Sequence, residues 1–255
     1  MNQPFLPKLT LRYPTDAAGV DALLPPGFTR WGEPVVQVGV YCVPVHGEPE
    51  HGISIKVPAT FDGTDGWYTL GIGIDQESAV FVSQETNGQP KFPCQVAYFR
   101  IGDTVEARAT HQGCTFLEYR GTVGEEVVHE GADESSETEW WTKYSRQVGG
   151  GQGFDLPPRV VSVRTAGVPL TSVPLTGDLV LRDSAWDPVA HYLPVRGPVS
   201  AAMVTVRHTA REITVAGVLD PDAFWPHADT VGGSRWPGER GAPRPLSTLR
   251  PPTGK

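Results

Sequence analysis

The lysines of this chain are its rarest basic side chains, because most of the 21 basic residues are arginines. A primary amine can condense with a carbonyl compound to form an imine, whereas a guanidinium cannot. Every lysine is therefore a candidate nucleophile. The lysines are Lys8, Lys56, Lys91, Lys143 and Lys255.

Lys91 differs from the other lysines in its surroundings. Pro90 precedes it and Phe92-Pro93-Cys94 follows it, in the stretch SQETNGQPKFPCQVAYF between two predicted strands. An ammonium held among apolar groups loses hydration, which lowers the pKa of a lysine and frees the nucleophilic amine. The other four lie near a terminus, in a predicted helix or on the polar side of a predicted strand. From the residues alone, a solvated lysine in a turn is the alternative interpretation of Lys91.

Composition argues against several classes of partner. The 29 acidic and 21 basic residues give a formal net charge of -8, which repels phosphate backbones and anionic membranes. We therefore expect neither a nucleic acid nor a membrane partner. Cys42, Cys94 and Cys114 are widely spaced in apolar stretches, which favours reduced thiols and a cytoplasmic location. No apolar run approaches the roughly 18 residues of a membrane span, so we expect a soluble protein.

The pattern of short apolar segments predicts an α+β protein that is mainly antiparallel β. The chain has 29 glycines and 25 prolines, and they separate segments of alternating polarity. In one such segment Ile53, Ile55 and Val57 point one way while Ser54 and Lys56 point the other way, as a half-buried strand requires. The predicted strands are 35–43, 53–57, 68–74, 79–82, 96–101, 105–110, 115–123, 160–163, 179–181, 201–206 and 213–218.

Few helices are expected. Capping residues and charge patterns predict helices over 17–24 and 136–148, and a brief one over 220–225. We expect residues 1–228 to form a single domain. Residues 229–255 are rich in Pro, Gly and Arg and have no apolar periodicity, which predicts a flexible tail with nothing to bury.

The segment before Lys91 resembles the core of the acetoacetate decarboxylase-like family. Residues 75–91 read DQESAVFVSQETNGQPK, and the family pattern is D-x-E-x-A followed by R/Q-E-x-x-x-x-P-K. Weaker matches occur at 13–26, 58–63 and 184–195. The resemblance implies curved sheets around a barrel-like cavity with few helices. It also implies that Lys91 projects into that cavity and forms a Schiff base with the substrate.

The same resemblance supplies further candidates for the substrate pocket. Asn87 lies at a position that carries a polar pocket residue in some relatives. Glu85 and Glu77 belong to the family pattern, and they are candidates either for the substrate pocket or for structural carboxylates that accept backbone hydrogen bonds.

The chain also departs from the family pattern. In the decarboxylase proper a second lysine follows the first, and a neighbouring cation is one way to activate a lysine nucleophile. Here that place is Phe92, so the resemblance implies that burial alone activates Lys91. Two glutamates and an arginine of the decarboxylase pocket would fall near Gly39, Gly52 and Leu6, and they are missing.

The resemblance implies a cofactor-independent lyase that acts on a small-molecule keto acid. A protonated imine withdraws electrons from the neighbouring carbon and makes loss of carbon dioxide or formation of an enamine feasible. Decarboxylation of a β-keto acid is the first expectation. An aldolase-dehydratase or biosynthetic tailoring enzyme with the same imine is the second, and a non-catalytic barrel that binds a small molecule is the third. A homo-oligomer is implied as well.

A metal site is the remaining candidate. The segment His46-Gly47-Glu48-Pro49-Glu50-His51 gathers two imidazoles and two carboxylates, which are metal ligands. Its Gly and Pro content fits a solvated hairpin loop better. The sequence therefore predicts a hairpin here and no metal site.

Overall fold

The computed structural model describes residues 6–45 and 47–249, and strands dominate it. The strands are β1 (Lys8–Pro14), β2 (Phe28–Thr29), β3 (Val35–Val45), β4 (Glu48–Phe61), β5 (Thr64–Ile74), β6 (Lys91–Pro93), β7 (Gln95–Ile101), β8 (Thr104–His111), β9 (Cys114–Val123), β10 (Val127–Val128), β11 (Ser135–Arg146), β12 (Phe154–Leu181), β13 (Ser200–Val218), β14 (Gly238–Glu239) and β15 (Ala242–Pro243). The α-helices are α1 (Ala17–Leu23), α2 (Glu77–Asn87), α3 (Val189–Tyr192) and α4 (Pro221–Phe224). Short 3-10 helices occur at Trp225–His227 and Leu246–Thr248. The expected α+β class, mainly antiparallel β, is confirmed.

Seven strands of the large sheet form a closed ring. In order they are β5, β4, β3, β1, β13, β12 and β11, and β11 pairs back with β5. All neighbours in the ring are antiparallel except β11 and β5, which are parallel. The twist of antiparallel strands favours such closure, because it curls a wide sheet. The ring corresponds to the curved, barrel-like sheet that the resemblance implied, and Lys91 lies against its inner face.

The main hydrophobic core lies on the other face of the ring strands, against β7, β8 and β9. Strand β4 shows how the two faces differ. Ile53, Ile55 and Val57 are fully buried in the core, as their alternation predicts. Ser54 and Lys56 were expected on a solvated face, but both are only 6% exposed because the ring encloses them. The inner face is therefore buried as well as polar.

All but one of the predicted strands lie within observed strands, and the exception is 79–82. This segment belongs to helix α2, where Val80 is buried while Phe81 and Val82 are exposed. A continuous apolar run of four residues does not distinguish a short strand from a turn of helix. The prediction of a strand at 79–82 was therefore wrong.

The predicted helix over 136–148 was also wrong, because these residues form most of strand β11 and the turn after it. Acidic residues early and basic residues late suggested a helix, but β11 is paired on both edges, with β12 and with β5. Trp140 packs in the main core while Glu139 points into the ring, which is the alternation of a strand. Tertiary pairing outweighed the local charge pattern. The other two predicted helices correspond to α1 and α4, and Asp220 caps α4 by accepting a hydrogen bond from the amide of Ala223.

The segment after residue 228 packs against the domain as far as it is described. Trp236 is 0% exposed and Val231 is 2% exposed, and both belong to the main core. The expectation of a tail with nothing to bury is therefore wrong for residues 229–249. Two apolar residues without periodicity can still fill a core when the loop around them is held by hydrogen bonds. Residues 250–255 lie outside the described part of the chain.

None of the helices in the described ranges has the length and apolar character needed to cross a membrane. The three cysteines are free thiols. Cys42 and Cys94 are buried and Cys114 is half-buried.

Candidate active site

Lys91 is the first residue of the short strand β6, which pairs in parallel with β5. The carbonyl of Pro90 accepts a hydrogen bond from the amide of Ile72 at 2.8 Å. The carbonyl of Lys91 accepts one from the side-chain amide of Gln84 at 2.5 Å. The backbone of Lys91 is thus held from β5 on one side and from helix α2 on the other.

The connection from α2 to β6 is short because the helix ends abruptly at Gly88. Gly88 has a φ of +67°, the left-handed conformation that glycine adopts at helix ends, and its amide donates to the carbonyl of Gln84. A Cβ at this position would lie 2.5 Å from the Cα of Lys143. Only glycine fits, and it directs the chain into β6.

Arg235, from the C-terminal segment, ties this connection to β11. Its guanidinium donates to the carbonyls of Gly88 at 2.8 Å and Thr142 at 2.7 Å, and to the hydroxyl of Thr142 at 3.0 Å. Its backbone amide donates to the carbonyl of Leu70 at 2.6 Å. Sequence reasoning missed this role, because nothing local links residue 235 to the lysine.

Lys91 faces the inside of the ring. Gly39, Ser54, Ile72 and Lys91 are opposite one another across β3, β4, β5 and β6. Directly paired residues share a face of a sheet, so the Lys91 side chain points to the buried polar face that carries Ser54. The sequence predicted that Lys91 points into the cavity, and this placement is consistent with that prediction.

Phe92 points the other way. It is 2% exposed in the main core, and its ring centroid lies 4.8 Å from that of His111. Successive residues of a strand alternate between faces, so a side chain at position 92 does not share the environment of the Lys91 ammonium.

The Lys91 ammonium has a carboxylate partner that the sequence did not predict. Its Nζ lies 3.3 Å from Oε2 of Glu50, and the two side chains are 10% and 4% exposed. Burial of an ion pair excludes most water from it, so each charge depends on the other for compensation. Lys91 is thus buried beside a carboxylate, and its activation by burial alone stays a prediction.

Tyr41 completes this cluster from β3. Burial, and after it the neighbouring carboxylates of Glu50 and Glu139, raise the pKa of Tyr41 well above its ordinary value. Its hydroxyl consequently keeps its proton and can act as a hydrogen-bond donor. Gly52 lies opposite Tyr41, and a Cβ at Gly52 would overlap the tyrosine ring.

A second buried ion pair lies further along the same face. Lys56 Nζ is 2.5 Å from Oε2 of Glu139, whose other oxygen accepts hydrogen bonds from Thr69 at 2.6 Å and from Trp141 at 2.5 Å. Burial by itself would raise the pKa of Glu139, but the Lys56 ammonium and these donors outweigh it and lower that pKa to about 2. This carboxylate is permanently ionised near neutral pH.

The three predicted pocket residues all lie on α2. Asn87 is half-buried at the last position of the helix, while Glu77 and Glu85 are exposed. These two glutamates are therefore not among the buried side chains on the inner face of the ring, where Lys91 and Glu50 lie. Their roles, and that of Asn87, stay predictions.

Sequence reasoning missed Glu50 because it treated the whole segment from His46 to His51 as a solvated hairpin. The hairpin exists, since β3 ends at Val45 and β4 begins at Glu48, but Glu50 is already inside β4 and is 3% exposed. Side chains two and four residues apart on a strand share a face, so the alternation that includes Ser54 also places Glu50 on the inner face. This alternation was the signal from which the sequence could have predicted the position of Glu50. His46 lies outside the described residues. Among those described, no group of three or more His, Cys, Asp or Glu side chains could hold a metal ion.

The positions of the missing family residues have other occupants. A Cβ at Gly39 would lie 2.5 Å from Cε of Lys8, so the space beside Gly39 is filled by that lysine. The space beside Gly52 is filled by Tyr41. Leu6 packs against the main core.

The closed ring of strands, with Lys91 on its inner face, is the arrangement that the resemblance implied, and a comparison of sequences identifies the family. The model of the family described as Acetoacetate decarboxylase (ADC) matches residues 7–218. The chain therefore belongs to the acetoacetate decarboxylase family. No curated protein matches its sequence.

Solved structures share the fold at low sequence identity. Acetoacetate decarboxylase from Legionella pneumophila subsp. pneumophila str. Philadelphia 1 is 17% identical with a TM-score of 0.72, over 86% of this chain and 88% of that chain. The enduracididine biosynthesis enzyme MppR, complexed with the condensation product of pyruvate and imidazole 4-carboxaldehyde, is 14% identical with a TM-score of 0.65, over 83% and 87%. An acetoacetate decarboxylase-like enzyme from Sphingomonas wittichii RW1 is 17% identical with a TM-score of 0.60, over 82% and 90%. These likenesses concern the fold.

Proposed function

We propose that this protein is a cofactor-independent carbon-carbon lyase in which Lys91 forms a Schiff base with a small-molecule keto acid. Decarboxylation of a β-keto acid is the reaction we propose first. The observation that carries the proposal is the buried pair of Lys91 and Glu50, 3.3 Å apart on the inner face of the ring, in a chain of this family. An amine with an adjacent proton acceptor in a water-poor site is what imine formation requires.

The first step needs a free amine. Glu50 is placed to accept a proton from the Lys91 ammonium, after which the amine attacks the ketone carbon of the substrate. The resulting carbinolamine loses water to give the protonated imine. The proton for the departing hydroxyl comes from Glu50, and the Tyr41 hydroxyl can donate a hydrogen bond to the same oxygen.

The second step breaks the carbon-carbon bond. The electrons of the bond to the carboxylate move toward the imine nitrogen, carbon dioxide leaves, and an enamine on Lys91 remains. A proton from water adds to the enamine carbon and regenerates the protonated imine, and addition of hydroxide or water to the imine carbon then returns the ketone product and the free amine. The Glu50 carboxylate beside the nitrogen stabilises the cationic imine at each stage, because opposite charges attract strongly where water is excluded.

An aldolase-dehydratase or tailoring reaction is the second candidate. The observation that favours it is the likeness to MppR, whose structure contains a condensation product of pyruvate and an aldehyde. In that case the enamine on Lys91 attacks an aldehyde instead of taking up a proton. A non-catalytic barrel that binds a small molecule is the outcome if no imine forms.

The remaining expectations are proposed on the same basis. We propose a keto acid as the small-molecule partner, a second copy of this chain as the protein partner, and no nucleic acid or membrane partner. The net charge of -8 supports the last point. The free thiols support a cytoplasmic location.

Borohydride trapping tests the imine. The protein is incubated with a panel of keto acids, including acetoacetate and pyruvate, then reduced and mapped by mass spectrometry. We expect an adduct on the peptide that contains Lys91. Lys91→Arg keeps the charge but cannot form an imine and should show no adduct, while Lys143→Arg serves as the matched control and should keep it. If no keto acid of the panel gives an adduct with the folded protein, the proposal is wrong.

A second measurement separates the two reactions. Carbon dioxide release is followed with a β-keto acid alone, and pyruvate consumption is followed with and without an aldehyde acceptor. Carbon dioxide from the β-keto acid alone supports the decarboxylase. Consumption of pyruvate only when an aldehyde is present supports the aldolase-dehydratase.

A further inference from the structure

A large cleft lies on the inner face of the ring, and Lys91 does not line it. Strands β1, β5, β11, β12 and β13 surround this cleft, whose volume is about 830 Å³. Small-molecule sites occupy roughly 300–1,000 Å³, so the cleft has the size of a ligand site. Among the described residues, those that line it include Lys8, Arg12, Gln37 and Trp67, but neither Lys91 nor Glu50.

The cleft presents a cation that has no carboxylate in direct contact with it. Lys8 is half-buried, and the ion pairs of the described residues do not include it. The nearby carboxylates Glu137 and Glu139 are 3.8 Å and 2.5 Å from the ammonium of Lys56 instead. Gly39 leaves the space in which the end of the Lys8 side chain lies. A partly buried ammonium without its own counter-ion favours an anionic ligand.

Two tryptophans, Trp31 and Trp67, also line this cleft. The Trp67 ring packs edge-on against Trp31, with centroids 5.8 Å apart, and the indole nitrogen of Trp31 donates to the carbonyl of Gly66 at 2.6 Å. The Arg12 guanidinium lies over the Trp67 ring at 5.6 Å and donates to the side-chain carbonyl of Gln37 at 2.8 Å. The two tryptophans and the arginine are therefore fixed before any ligand binds, which lowers the entropic cost of binding.

We propose that this cleft binds an organic anion, with the carboxylate of the ligand paired to Lys8 and its flat apolar body against Trp67. Neither Lys91 nor Glu50 lines this cleft, and binding of the anion does not depend on imine chemistry. The ion pair of Lys56 and Glu139 borders the cleft, since Gln37 of the cleft is opposite Lys56 and Glu137 of the cleft is 3.8 Å from the Lys56 ammonium.

The charged groups around Lys8 give the site a characteristic pH dependence. Burial, and after it the ammonium of Lys56, lower the pKa of Lys8 to about 8, while Glu137 and Glu139 oppose this and Arg12 adds to it. His208, which also lines the cleft, has a pKa lowered by burial, Lys8 and Arg211 and is neutral above pH 7. Lys8 therefore loses its charge as the pH rises through about 8.

Calorimetric titration with 2-naphthoate, a planar aromatic carboxylate, tests the proposal. We expect binding by the wild type and by Lys91→Ala, at least tenfold weaker binding by Lys8→Met, and at least tenfold weaker binding of the uncharged 2-naphthamide by the wild type. Because the ligand stays ionised, its affinity for the wild type should fall about tenfold between pH 7 and pH 9. This last measurement needs no variant and holds even if Lys8→Met fails to fold.

Several outcomes overturn the proposal. They are no detectable binding of 2-naphthoate, equal affinity for the acid and the amide, or an affinity independent of pH. Binding that is lost in Lys91→Ala but kept in Lys8→Met also overturns it, because the anion would then occupy the Lys91 pair. Failure of borohydride trapping leaves the cleft unaffected, so the two proposals fail separately.

Discussion

The two buried ion pairs of the ring differ in how completely their carboxylates are satisfied. Glu139 is 2.5 Å from Lys56 and accepts further hydrogen bonds from Thr69 and Trp141. Glu50 is 3.3 Å from Lys91, with Tyr41 beside it. The first pair has short bonds to several fixed donors and is built as a structural element. The second pair is longer and has fewer partners, and it is the pair to which we assign the proton transfer of the proposed reaction.

This difference suggests that the two ion pairs have different roles, although both lie on the same face of one sheet. A carboxylate saturated with donors is held ionised and cannot exchange protons near neutral pH. A carboxylate with a single cation beside it can take a proton and return it, which is the requirement for general acid-base catalysis. Removing Glu139 should therefore mainly affect the stability of the fold, whereas removing Glu50 should mainly affect turnover.

Glu139→Ala should destabilise the fold most. It leaves the Lys56 ammonium buried without its nearest counter-ion, and loss of one partner of a buried pair costs about 3–5 kcal/mol. Denaturant unfolding followed by circular dichroism measures the change. Glu137→Gln is the matched control, since Glu137 is 3.8 Å from the same ammonium but its side chain is 43% exposed, and it should cost less than about 1 kcal/mol. Equal effects of the two variants would contradict a special role for Glu139.

The same pair should give the protein an acid-labile component of stability. The pKa of Glu139 is lowered from 4.5 to about 2 in the folded state, so its contribution is fully present above pH 4.5 and is lost as the pH falls through 2. A shift of that size corresponds to about 3 kcal/mol. Unfolding free energies measured between pH 5 and pH 2 should fall less steeply in Glu139→Gln than in the wild type. Parallel curves would show that this carboxylate is not linked to folding.

Glu50→Gln should impair turnover more than stability. The amide keeps the size of the side chain but cannot accept a proton from Lys91, and loss of a general base lowers kcat by about 10²-fold. Steady-state kinetics, with circular dichroism to verify the fold, measure this effect. Glu48→Gln, two residues earlier on β4 and exposed, is the control and should leave kcat unchanged. A kcat for Glu50→Gln within twofold of the wild type would remove Glu50 from the mechanism.

The sequence predicted much of this region, because strands of alternating polarity and a short motif are local signals. The motif ending in Pro90-Lys91 located the lysine, and the alternation in 53–57 placed Ser54 and Lys56 together on one face. Those two side chains were expected in water, since one strand does not reveal that a ring of strands closes over its polar face.

The missed features depend on contacts between distant parts of the chain. Glu50 meets Lys91 only because β4 pairs with β5 and β5 with β6. Arg235 reaches Gly88 from a segment whose composition resembles a tail. Strand β11 carries the charge pattern of a helix, but pairing on both edges determines its conformation. Local patterns report propensity and alternation, and they contain no information about such partners.

The predicted pocket residues on helix α2 should have the smallest effects, because they do not belong to either buried ion pair. Asn87 is half-buried next to the turn into β6, whereas Glu77 and Glu85 are exposed. Asn87→Ala should raise KM by about threefold, since one hydrogen bond to substrate is worth about 0.5–1.5 kcal/mol. Glu77→Gln and Glu85→Gln should change kcat and KM by less than about twofold, because exposed carboxylates are screened by water. A large loss of kcat in either glutamine variant would move the catalytic machinery from the inner face of the ring toward α2, and the division between the two ion pairs would need revision.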